Sequence, residues 1–248
     1  MRPAEPTVKK GYLPLLVLVV VFLLAPFRAY ASFSQDELSQ WFTYYHKHPQ
    51  PERLAEWLSE ELKFGMTLND THYYPIAAFC SQVLQDSPQI ATDFSRYFSQ
   101  HTYQDKFLVA LILWNSQLPE AEDLVKSALG FTPAELEVLT QFPPYEPLDY
   151  DVETPVDMDI MWAIFFATGS EEPINKLIDF VLKPQPVMDK EKSNEQEVYI
   201  AQTYLEAAMW SLQANARQFP EIKTQVERRY QQGDEVQKER LSLLLKIM

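Results

Sequence analysis

The residues with the clearest chemical potential are carboxylates set at alternate positions. Asp149, Asp151 and Glu153 are followed by Asp157 and Asp159. Oxygen ligands at every second position are how a calcium loop begins. The pattern then departs from that loop: its sixth position is Thr154 rather than glycine, and its twelfth is Ile160 rather than glutamate. An EF-hand is excluded. A solvated acidic connector, with Asp157 capping the helix that follows, accounts for the same residues. No metal is assigned.

Other chemistry is sparse. The histidines are His46, His48, His72 and His101. His46 and His48 stand two apart, on different faces of a helix, and suit a solvated helix end facing the negative pole of the dipole. Cys80 is the sole cysteine, so no internal disulfide can form; it lies in the apolar run 76–80 and reads as a small buried hydrophobe. The five glycines are isolated, which leaves no phosphate loop, dinucleotide fingerprint or nucleophile elbow. No cofactor is expected. A pair of carboxylates about 5–9 Å apart in an aromatic cleft would serve glycoside hydrolysis, and this stays open as an enzymatic alternative acting on envelope glycans.

The elements that must position these residues read as helices throughout. Ser34 with Glu37, and Thr132-Pro133-Ala134-Glu135, are capping boxes. Met158–Leu182 reads as two helices: an apolar run to Thr168, a stop at Gly169, a cap at Ser170, and Pro173 in the first turn of the next. Inward stripes are expected from Trp41, Trp57, Trp114, Trp162 and Trp210, and from Tyr97, Tyr199 and Tyr230. Gly65 is expected to end the second helix and Asn69 or Thr71 to cap the third. Two interruptions stand out: 142–155, rich in proline, tyrosine and acid, and the polar 183–194. The expected class is all-α, with about 11–12 helices arranged as stacked antiparallel hairpins, either a solenoid or an irregular array.

Residues 1–31 are set apart from that single helical domain, 32–248. A basic start (Arg2, Lys9, Lys10), the apolar run Leu13–Ala25 and Ala29-Tyr30-Ala31 before Ser32 read as a cleaved export signal. Together with the lack of disulfides this predicts a Gram-negative periplasm. The alternative is an inner-membrane anchor through 13–25. The whole chain carries −14; the leader holds four bases and one acid, leaving −17 on the remainder. Such a charge repels nucleic acid and anionic lipid.

Helix restarts at Pro51-Glu52, Pro88-Gln89, Pro119-Glu120, Pro173-Ile174 and Pro220-Glu221 recur at a period near 35 once the two interruptions are set aside. In period and helix grammar this resembles the tetratricopeptide-like class, including its Sel1-type variants. The W-x₂-L-G-x₂-Y signature is absent; Ala163–Gly169 followed by Pro173 comes nearest. The resemblance implies a stack of helical hairpins. The expected function is non-enzymatic: an interaction or scaffold module that binds another envelope protein or peptide, with Tyr145, Asp149, Tyr150 and Asp151 as the contact residues. A signal-anchored accessory subunit of an envelope assembly is the third reading.

Overall fold

The computed structural model of the chain describes residues 33–63, 71, 73–141, 143–183 and 195–248. Among these are twelve α-helices, five short 3₁₀ turns and no strand. The all-α expectation holds. The leader 1–31, Gly65, Asn69, His72, Phe142 and most of the second interruption lie outside the described residues.

Local signals place the helix starts. α1 (Gln35–Thr43) has the expected capping box: Ser34 Oγ accepts from the Glu37 N–H and the Glu37 carboxylate reaches back to Ser34. Pro51 and Pro88 each open a 3₁₀ turn that leads into α2 (Leu54–Lys63) and α4 (Ala91–Tyr97). Between them runs α3 (Tyr73–Asp86). Thr102 caps α5 (Tyr103–Asn115), and α6 is Ala121–Ser127. Thr132 and Glu135 box α7 (Pro133–Thr140).

The acidic interruption then leads to α8 (Pro155–Thr168). This helix starts three residues earlier than the apolar run from Met158 suggests. Thr154 is its cap and Asp157 completes the box from the third position, accepting from Thr154 N–H and Oγ–H and from Glu153 N–H. Asp157 is therefore not the cap itself. Gly169 ends α8 at φ +68, and Ser170 caps α9 (Glu171–Leu182). α10 (Glu195–Ala216), α11 (Pro220–Gln232) and α12 (Glu235–Ile247) complete the array.

From Ile160 to Ala167, α8 is apolar on every side. Met158 and all residues from Ile160 to Ala167 are buried. A helix without a polar face must be covered all round. α3 packs against it more extensively than any other element does, and α9, α1, α10 and the 3₁₀ turn Tyr45–Lys47 supply further cover. Stacking between sequence neighbours alone would not bring α3 to α8. Aromatic rings seal the junction: Phe42 lies 4.7 Å from Phe79, 5.4 Å from Trp57 and 5.5 Å from Phe166, centroid to centroid. Each such pair adds roughly 0.5–1.5 kcal/mol beyond burial. Cys80 is fully buried here, and burial pushes its thiol pKa well up.

The C-terminal helices bury Ile222, Val226, Leu241 and Leu244 in the core, and ion pairs at the surface also join them to α9. Arg228 pairs with Glu171 at 2.9 Å, and Arg229 pairs with Asp179. Arg240 Nη1 donates to the carbonyls of Leu182 and Lys183 at 3.1 and 2.6 Å, serving oxygens that the end of α9 leaves unpaired.

Several aromatic residues face outward, contrary to expectation. Trp210 is 69% exposed and Tyr199 71% exposed; Tyr97 and Tyr230 are also exposed. α10 buries only Val198, Ala208 and Leu212. Its apolar residues are spread around the helix, while its neighbours cover one side. Trp41, Trp57 and Trp162 are buried and Trp114 is partly so.

His46 is likewise not a solvated helix-end residue. Its ring sits 5.1 Å from Phe165 and 5.6 Å from Phe219, with the side chain 10% exposed. Nδ1 lies 3.3 Å from the Phe166 carbonyl. A carbonyl only accepts, so Nδ1 carries the hydrogen in the neutral ring. Nε2 stands 3.8 Å from the Glu221 carboxylate, which Lys47 also approaches at 3.3 Å. Burial holds the His46 pKa below 6.5 despite the pull of the Phe166 carbonyl and Glu221. The unfolded chain thus takes up this proton first as pH falls. The stability that neutral His46 contributes is present above 6.5 and is lost below it. Between pH 7.5 and 5.5 the denaturant midpoint of the parent should fall more than that of His46→Phe; parallel slopes would refute the linkage.

Gly169 and Gly130 give a matched test of the same contact. Both have positive φ, +68 and +75. A Cβ at Gly130 would meet nothing within 4 Å, whereas one at Gly169 would lie 2.9 Å from His46 Cδ2. Gly130→Ala should cost the left-handed strain alone, about 1 kcal/mol. Gly169→Ala should cost at least about 1 kcal/mol more, through overpacking. Chemical denaturation measures both, and equal losses would contradict the packing.

Candidate functional site

Alongside the α3–α8 pair runs a groove of about 870 Å³. α3 presents Tyr73, Ala77, Ser81 and Gln85, four apart, with Tyr74, Ala78 and Gln82 beside them. Twelve residues at helical rise make this wall roughly 18 Å long. α5 contributes Phe107, Leu111, Trp114 and Asn115, spaced for one helical face. Val156, Ile160 and Ile164 of α8 close the floor, and Val138 and Leu139 of α7 add to the wall. The acidic interruption forms the rim through Tyr145, Glu146, Leu148 and Asp149. A smaller cavity of about 550 Å³ lies against Trp162, Ala163 and Phe166 of α8, beside Phe42 and Ile76.

The rim is held by specific bonds. Tyr145 N–H donates to Asn115 Oδ1 at 3.0 Å. Lys176 Nζ donates to the Tyr150 carbonyl at 3.1 Å. Lys183 Nζ reaches the Asp151 carboxylate at 3.0 Å and the Val152 carbonyl at 3.4 Å. Val152 is buried beneath the loop. The rings of Tyr145 and Tyr150 stack with centroids 5.7 Å apart. A hydrogen bond and the charge of Lys183 hold the Asp151 carboxyl below its ordinary range. Burial, reinforced by Asp157 and Tyr150, raises the Tyr145 phenol.

The four residues chosen from the sequence therefore divide. Tyr145 and Asp149 line the groove. Tyr150 supports Tyr145 from outside it, and Asp151 is engaged with Lys183. Tyr73, Phe107, Leu111 and Trp114 are groove residues that sequence reasoning assigned to core stripes or left unremarked. A side chain facing a cavity has the same periodicity as one facing a core, so spacing carries no signal that separates them. Tyr73 is only 7% exposed, and its hydroxyl has no hydrogen-bond partner among the described residues.

The groove's ionisable lining, tyrosines aside, is Glu146, Asp149, Asp157 and Glu172. None of the four has an ion pair among the described residues. Two carboxyls that burial holds above their ordinary value, Glu61 and Asp86, lie outside the groove. Among the described residues no group of three or more His, Cys, Asp or Glu is placed to hold a metal ion, and no helix is long and apolar enough to cross a membrane.

No protein-family model, curated protein or solved structure matches the chain.

The rim is a locally secured element on a stable base. Asn115→Ala combined with Lys183→Met should raise amide exchange across 145–152 by about tenfold. The global unfolding midpoint should move by no more than about 1 kcal/mol equivalent. Unchanged exchange would show that these bonds do not hold the loop.

Proposed function

We propose that this chain is a non-enzymatic binding module that seats a segment of a partner protein in the α3–α5–α8 groove. The observation that carries the reading is the groove itself: an open, mostly apolar trough about 18 Å long, walled by α3, α5, α7 and α8 and rimmed by a pinned tyrosine-bearing loop. Apolar, partly aromatic concavities with a few polar groups are where proteins bind ligands. Acid–base catalysis on a glycan finds less support. The carboxyls with raised affinity for a proton are not in the groove, while Asp157 is occupied as a helix-capping acceptor.

The setting we propose is the cell envelope. It follows from the basic, apolar and A-x-A order of residues 1–31 and the absence of any cysteine pair. The period near 35 supports a tetratricopeptide-like ancestry for the helical pairs.

Site-specific photocrosslinking in the native envelope tests the reading. A benzoylphenylalanine at Tyr74 or Val138, exposed on the groove, should yield discrete adducts with an envelope protein. The same probe at Tyr230 or Glu239, which do not line the groove, should not. Equal yields at both sets, or none from the groove, would overturn the proposal.

A further inference from the structure

We infer that the groove's occupant is a short extended peptide, apolar along its buried face and carrying lysine or arginine toward the rim. This inference rests on the binding reading above and specifies the chemistry of the partner. Two observations point to it.

The first is charge. Glu146, Asp149, Asp157 and Glu172 line the groove, and no lysine, arginine or histidine does. Glu146, Asp149 and Glu172 lack ion pairs among the described residues, and Asp157 is compensated by its hydrogen bonds at the start of α8, whereas Asp151, Asp179 and Glu171 nearby are each paired with a base. An acidic occupant would meet uncompensated like charge, and a cationic one relieves it. The second is the apolar lining. Phe107, Leu111 and Val156 offer only apolar surface, so the cationic groups belong at the rim with aliphatic or aromatic anchors below. Length agrees, since a wall of roughly 18 Å accommodates five or six extended residues.

The test is selection of a phage-displayed random hexapeptide library on the full chain. Parallel selections use Gln82→Trp and Ala78→Trp, which fill the groove, and the triple variant Glu146→Gln/Asp149→Asn/Glu172→Gln. Circular dichroism identifies which variants keep the parent's helix content. The expected result is enrichment of peptides combining lysine or arginine with leucine, isoleucine or aromatic residues, lost in a folded groove-filling variant. A selected peptide, made synthetically, should bind the triple variant about tenfold more weakly, as several rim ion pairs together allow. Salt should weaken its binding to the parent. Groove-dependent enrichment of neutral or acidic peptides would overturn the charge inference and leave the binding reading standing. No enrichment, or enrichment that a folded groove-filling variant leaves intact, would overturn both.

Discussion

A helical run with no polar face has to be enclosed, and Ile160–Ala167 of α8 is that run. From Ile160 to Ala167 each residue is buried. With apolar surface contributing roughly 25 cal/mol per Å² removed from water, the array is constrained to surround it. α3 covers one side, α9 another, and the aromatic turn around Tyr45 and His46 a third. The α3–α8 contact joins residues about eighty positions apart. It closes a large loop of chain, so the elements between must return to the same place. Where α4 to α7 and the acidic loop make that return, they do not fill the space beside α3 and α8 completely. The groove is what remains.

Local grammar was legible because it is local. Ser34, Thr132, Gly169 and Ser170 each act where their spacing to neighbouring residues indicates, since caps depend on atoms within a turn. The long-range pairing was not legible. Nothing in the periodicity of α3 says whether its stripe meets α8 or the next helix along. His46 was misread for a related reason: polarity and a position beside Pro49 suggest solvent, yet its ring fills a gap between Phe165 and Phe219 that only the assembled fold creates. Trp210 erred in the opposite sense. An apolar residue implies burial only where a neighbour exists to bury it, and α10 has neighbours along one side.

The candidate site shows the same division. Tyr145 and Asp149 stood out because proline, tyrosine and acid concentrate in an interruption between helices, and loops are where binding residues gather. The groove's walls did not stand out, because Phe107, Leu111 and Ile160 look like any core stripe. The chemistry lies in the combination, an apolar floor made by helices and an acidic rim made by a loop. The rim is ordered beforehand by Asn115, Lys176 and Lys183, so less ordering remains when a partner arrives. The chain's excess of acid sets a general field; the unpaired carboxylates of the rim give it a direction.

Enclosure of α8 by α3 holds the array together, and native-state hydrogen exchange across a denaturant series measures whether it does. Amides of Met161–Ala167 and of Phe79–Leu84 should exchange only through global unfolding, while those of α10 open earlier. Local opening of α8 at a free energy well below the global value, with α10 to α12 more protected, would contradict it.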